Sequence, residues 1–255
     1  MTELVPIGDV VSVNPRVPRA LKEASDPKVG FLPMDAVTTS GAIDGVEERP
    51  LSKVRKGYKY FEEGDVLLAK ITPCMENGKA CHAVGLPHEV GFGSTEFHVL
   101  RPGPEVDGKY LFYAVWNPRF RFIAERNMTG SAGQKRVPVG FIRDFKIYLP
   151  PLPEQKRIAA ILDKADAIRR KRQQSIQLLD DLLKSTFLDM FGDPVTNPKG
   201  WPVKSLGDVC TDCLSGGTPS KKRDDFWGGR FPWVSPKDMK RSEEHTSELQ
   251  SLSHI

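Results

Sequence analysis

The 255-residue sequence predicts an α+β fold. A globular domain of short strands and helices occupies residues 1–150, a long coiled-coil-like spacer helix follows over 151–192, and a second, similar domain begins at 193–240. Three observations carry this prediction. Glu154 to Met190 contains neither glycine nor proline. Before that stretch, short apolar runs are punctuated by glycine and proline. After it, a motif from the N-terminus returns.

In the first domain, Glu63-Gly64 reads as a turn and Val66–Ile71 as a buried strand. Glu96–Pro102 alternates and stops at Pro102, which has no N–H for a ladder. Lys109–Trp116 is an aromatic-rich helix, broken at Asn117-Pro118, and a second helical stretch runs to about Asn127. Phe141–Pro150 alternates Phe145, Ile147 and Leu149 against Lys146 and Tyr148, the pattern of a strand leading into the spacer.

The spacer carries its own start and stop. Pro150, Pro151 and Pro153 stiffen its entry, and Pro153 falls in the first turn, where a missing N–H is harmless. Glu154 puts negative charge at the helix N-terminus, and Gly192 with Pro194 ends the run. At 1.5 Å per residue this helix spans roughly 55 Å. Ile158, Ile161, Ala165 and Ile168 form an apolar stripe, and Ile176, Leu179, Leu183 and Phe187 continue it after a shift of face at Arg169–Arg172. Such a narrow seam needs a partner helix, so these eight positions are the predicted helix–helix interface.

Past the spacer, Val5-Pro6-Ile7-Gly8-Asp9-Val10 returns as Val203-Lys204-Ser205-Leu206-Gly207-Asp208-Val209. Phe31–Val37 corresponds in the same order to Phe231–Asp238. Two ordered matches flanking one spacer argue for a duplicated domain, whose second copy is too short to build the same core. Residues 241–255 change character to polar and acidic. Arg241–Ser251 reads as a translated sequencing adapter, so this tail is expected to be non-native.

A net charge of +4 is compatible with a nucleic-acid partner. No run of about 18 apolar residues predicts a membrane span, and MTELVPIGDVVSV has neither basic leader nor apolar core. Cys74, Cys81, Cys210 and Cys213 show no disulfide framework, which points to a cytoplasmic setting. No cofactor or metal is expected in the chain. Asn14-Pro15-Arg16-Val17 and Asn117-Pro118-Arg119-Phe120 approach the Asn-Pro-Pro-aromatic loop of adenine methyltransferases but carry arginine at the second proline. Gly91-Phe92-Gly93 is too short for a nucleotide loop, and no phosphate loop is present. Cys210-Thr211-Asp212-Cys213 lacks a second pair, and Cys74, Cys81, His82, His88 and His98 have no ligand spacing.

Four segments together resemble the DNA-specificity (S) subunit of type I restriction–modification systems: Gly64–Ala80, Ser94–Pro102, Thr129–Leu162 and Ser215–Lys240. The resemblance implies two target-recognition domains, each reading half of a bipartite site in double-stranded DNA. It also implies two long helices that pair antiparallel and dock methyltransferase subunits, with restriction subunits completing the complex. On that basis the chain is a non-catalytic specificity subunit, truncated in its second target-recognition domain. S-adenosylmethionine, ATP and Mg belong to its partners. Truncation would let two copies pair as a homodimer. The alternative is a recognition-module fragment of a fused restriction–methylation enzyme, against which Met1 followed at once by the first motif favours a separate subunit.

Candidate DNA contacts in the first domain combine cations for phosphate with polar groups for base edges. They are Lys70, Thr72 and Lys79 around the Val66–Ile71 strand, and Ser131, Gln134, Lys135 and Arg136 in a glycine-rich stretch. Gly130 and Gly133 are expected to let backbone approach a phosphate closely.

Overall fold

The structure, a computed structural model, describes residues 4–131 and 133–212 together with positions 217, 220, 222 and 223. The chain divides into two compact units, Met1–Ser185 and Thr186–Ile255, with the division falling inside the long helix.

The first unit follows the order β1 (Leu4–Pro6), α1 (Ile7–Val10), β2 (Val11–Val13), α2 (Arg19–Lys22), β3 (Lys28–Leu32), β4 (Glu47–Pro50), α3 (Leu51–Val54) and β5 (Lys59–Glu62). It continues with β6 (Val66–Ala69), β7 (Ala80–His82), β8 (Val90–Gly93), β9 (Phe97–Pro102), α4 (Gly108–Trp116), α5 (Pro118–Arg126), α6 (Val139–Asp144), β10 (Lys146–Tyr148) and the helix α7 (Leu152–Phe191). One four-stranded sheet runs β2-β9-β6-β7 and is antiparallel throughout. The other runs β4-β3-β8-β5, with β3 and β8 parallel. A two-strand ribbon pairs β1 with β10, so the first residues close against the segment just before α7.

Residues on one strand face opposite sides of a sheet, and β6 uses both. Val66 and Leu68 enter the cluster that holds Ile7, Leu100, Leu111, Phe120 and Ile142, while Leu67 and Ala69 enter one with Leu32, Phe61, Phe97 and Val99. Burial on both faces is why the strand reads as a continuous apolar run. A third cluster, with Val29, Phe31, Leu51 and Phe92, lies on β3, α3 and β8. Gly91 makes room for the second cluster: a Cβ there would stand 2.4 Å from the Phe61 ring, so Gly91-Phe92-Gly93 is a space-making feature.

Local signals place the helices. Asp107 caps α4 by accepting from the Tyr110 N–H at 2.9 Å, and Asn117 caps α5 by accepting from the Arg119 N–H at 2.8 Å, with Pro118 at its first position. The strand predicted over Phe141–Pro150 is shorter than expected. Phe141 to Asp144 belong to α6, and the strand is confined to Lys146–Tyr148. Aromatic packing decides this, because the helical turn lets Phe141 and Phe145 both meet Phe120, at ring distances of 6.0 and 4.8 Å.

The 40-residue α7 has its root in the first unit. Gln155 is fully buried; its Oε1 accepts from the Asp107 N–H, and its Nε2 donates to Glu105 O and Pro150 O, all within 2.8 Å. Ala159 is buried as well, Asp163 accepts from the Tyr113 hydroxyl at 2.7 Å, and the Arg169 guanidinium lies 5.6 Å from the Trp116 ring. The opening turns of the helix therefore pack on their own domain. Of the predicted interface, Ile158 is half-buried, and Ile161, Ala165, Ile168, Ile176, Leu179, Leu183 and Phe187 are exposed.

In the second unit Gly192 ends α7 at φ +79, its N–H donating to Leu188 O at 2.8 Å. Lys199 donates to the carbonyls of Asp189 and Met190, and the Trp201 indole N–H to that of Phe191. The repeated motif forms α8 (Leu206–Val209), opened by a capping box between Ser205 and Asp208. Cys213, most of Ser215–Lys240 including Phe231–Asp238, and the 241–255 tail lie outside the described residues.

Candidate nucleic-acid interface

Six of the seven predicted contact residues come together at the exit of β6. Residues 129–131 and 133–136 belong to a hairpin, closed by Thr129 and Arg136 exchanging backbone hydrogen bonds at 2.9 and 2.8 Å. Its far side is zipped to the chain after β6: the Thr72 N–H donates to Lys135 O, and the Val137 N–H to Lys70 O. Lys70, Thr72, Ser131, Gln134, Lys135 and Arg136 thus share one edge. Both glycines take positive φ. Gly130, at φ +124, lets the hairpin close, since a Cβ would sit 2.9 Å from Gln134 O; Gly133, at φ +82, faces open space.

The side chains on this edge divide into committed and free groups. Glu96 holds Arg136 bidentately at 2.9 and 3.0 Å and lies 3.9 Å from the Lys70 ammonium. The Arg136 hydrogen bonds hold the Glu96 carboxyl below the usual carboxylate range, and burial lowers Lys70 despite that neighbour. Arg136 is consequently braced rather than free, and its Nη1 also donates to Gln134 O at 3.1 Å. The Thr72 hydroxyl points at the Met128 sulfur. Ser131, Gln134 and Lys135 are exposed at the hairpin tip. Lys79 is the residue that the fold sends elsewhere: its ammonium donates to Met34 O at 3.0 Å, a tie between loops.

Sequence reasoning passed over the groups that set this geometry. His98 is buried; its Nε2 donates to Val137 O at 2.8 Å, leaving Nδ1 to accept from the Asn14 amide at 3.2 Å. Burial lowers its pKa, in keeping with a neutral ring. Asn14, at φ +55, also accepts from the Val99 N–H. Asn14 and Asn117, the two asparagines of the methyltransferase-like tetrapeptides, are thus a loop clamp and a helix cap. Nothing near residue 98 marks partners 84 and 39 positions away, although the strand itself was readable.

Among the described residues, no group of three or more His, Cys, Asp or Glu is arranged to hold a metal ion. Burial pushes the Cys81 thiol up to about 12, so it stays protonated and inert.

Comparison with known proteins shows what the chain is similar to. A family described as the type I restriction modification DNA specificity domain matches residues 2–178. The EcoEI specificity subunit of a type I restriction enzyme from Escherichia coli is 38% identical over 185 residues, 70% of this chain and 30% of that protein. The EcoAI specificity subunit, also from Escherichia coli, is 39% identical over 181 residues, 67% and 29% of the two chains. The chain therefore spans about 30% of the length of these relatives. Two solved structures share the fold. The HsdS subunit from Thermoanaerobacter tengcongensis has a TM-score of 0.54 at 21% identity, covering 79% of this chain and 51% of its own. A chain from a structure of type I R-M complex assembly and conformational transition has a TM-score of 0.58 at 22% identity, covering 86% and 57%.

Proposed function

Since the chain belongs to the type I restriction–modification DNA specificity family, we propose that it is the sequence-reading part of such a complex. In this reading residues 1–150 recognise one half of a bipartite duplex site and contribute no catalytic group. Helix α7 docks methyltransferase and restriction subunits, which supply S-adenosylmethionine, ATP and Mg. The observation that carries it is the zipped hairpin. A braced arginine and exposed Ser131, Gln134 and Lys135 on one edge combine a positioning cation with groups able to donate to and accept from base edges. The exposed stripe from Ile176 to Phe187 supports pairing with a second helix, from a partner or from another copy of the chain. No helix among the described residues is long and apolar enough to cross a membrane, which is compatible with a cytoplasmic setting.

The test is selection from a randomised duplex pool by the chain reconstituted with methyltransferase subunits. One enriched half-site is expected, and Gln134→Ala should relax preference at one position by about 1–3 kcal/mol. A pool returned without enrichment rejects the assignment.

A further inference from the structure

Three cations of the first unit that form no ion pair among the described residues gather in one place. Arg16 on the loop after β2, Lys22 at the end of α2 and Lys59 at the start of β5 line a single cleft of about 290 Å³, together with Tyr58. None of the three forms an ion pair among the described residues. Lys28, Arg49 and Arg101, on strands of the same two sheets, each hold a glutamate or aspartate. Three like charges around one cleft, none of them in an ion pair and, among the described residues, only Lys59 within electrostatic reach of a carboxylate, that of Glu96, leave a positive field that an external anion neutralises.

The cleft adjoins the hairpin edge. Its Asn14–Arg16 wall is clamped by Asn14 to His98 and Val99, and the same imidazole donates to Val137, the residue after Arg136. Its opposite wall begins at Lys59, in register with Gly93 of β8. The loop after Gly93 carries Glu96, whose backbone carbonyl accepts from the Lys70 N–H at 2.9 Å. One buried ring and one short loop therefore join the two walls to the residues proposed to read bases.

We propose that this cleft seats the sugar–phosphate backbone of the duplex whose base edges the 129–136 hairpin faces. The inference rests on the DNA-reading function above and adds a contact surface to it. Backbone rather than base is the fitting partner for chemical reasons. Arg16 and Lys22 are exposed, long-stemmed cations with no rigid acceptor beside them to fix a base-specific geometry. The exposed Tyr58 offers a hydroxyl that donates equally well to any phosphate oxygen. The cleft then supplies sequence-independent affinity, and the hairpin supplies choice.

The experiment compares three proteins by fluorescence anisotropy on a selected and a scrambled duplex over a range of salt concentrations. They are the unmodified chain, Arg16→Gln/Lys22→Gln/Lys59→Gln, and a control of equal charge, Lys164→Gln/Lys171→Gln/Arg172→Gln on α7. The cleft variant should lose about two to three from the slope of log affinity against log salt, equally on both duplexes, while preference for the selected duplex persists. The control should change the slope by less than about one. A cleft variant matching its control overturns the proposal, as does one that loses preference with its slope intact. Should the triple variant melt early, Lys59→Gln alone is expected to lower the slope by about one, and an unchanged slope rejects the cleft. If the unmodified chain binds neither duplex, the DNA-reading function fails and the cleft with it. If Gln134→Ala loses preference while the cleft variant is inert, only the cleft fails.

Discussion

Ile7-Gly8-Asp9-Val10 and Leu206-Gly207-Asp208-Val209 fold as the same four-residue helix in two settings. In α1, Ile7 is fully buried, its N–H donates to Phe145 O at 2.9 Å, and Gly8 lies so close to Arg143 that a Cβ would stand 3.0 Å from the arginine Cβ. In α8, Leu206 is 80% exposed, and Gly207 has only the Ser205 hydroxyl within reach of a Cβ, at 3.8 Å. The first turn has no side-chain cap and is held by residues more than a hundred positions later; the second is held by its own capping box. The tetrapeptide specifies a turn, and burial depends on what α6 and β10 bring to it.

The sharpest way to break this comparison is to shorten the apolar residue in both copies. Ile7→Ala should destabilise the first unit by about 2–5 kcal/mol, and Leu206→Ala should change stability by no more than about 0.5 kcal/mol, read from urea midpoints. Equal shifts would mean that the second copy is buried too. The glycines should give opposite signs: Gly8→Ala costs about 1–3 kcal/mol through overpacking against Arg143, whereas Gly207→Ala gains about 0.5–1 kcal/mol of helix propensity. Circular dichroism melts of the two variants check this. Ser205→Ala removes the cap that α1 never had and should weaken α8 by about 1 kcal/mol, visible as faster amide exchange at Asp208.

The smallest expected change accompanies mild acidification, and it is confined to the first unit. Burial lowers the pKa of His82 and His98 below the ordinary 6.5, and the described part of the second unit holds no histidine. Below that value the unfolded chain takes up protons that the folded one refuses. Stability is therefore full above about pH 6.5 and falls as the pH drops toward the folded-state values. His98→Gln should flatten this dependence in a series of melts, and an unaltered slope would reassign the titration.

Local chemistry made much of the fold legible. The α7 entry and stop, the break at Asn117-Pro118 and the β6 run all follow from glycine, proline and period. Phe141–Asp144 escaped because alternation over so few residues fits a strand as well as a helical turn, and three aromatic rings chose the turn. For the interface, Gly130 and Gly133 marked a glycine-rich turn region, but its pairing with the chain after β6 was not readable. The commitments of Arg136 to Glu96 and of Lys79 to Met34 were hidden, because each spans 40 or more positions. Charge and polarity pick out the candidate contacts. Only folded geometry tells which of them are already engaged.

The hydrogen bonds of Gln155 also set a tolerance on angle. From Gln155 to Ser185, at the end of the first unit, is about 45 Å of helix. A tilt of only about 4° at that root displaces the far end by roughly 3 Å, close to the rise of one base pair. Under the proposed DNA-reading function, such a lever keeps its reach only when its pivot is stiff. A single buried amide, joined to three backbone groups, gives this pivot stiffness where the lever arm is shortest and any error would be magnified most.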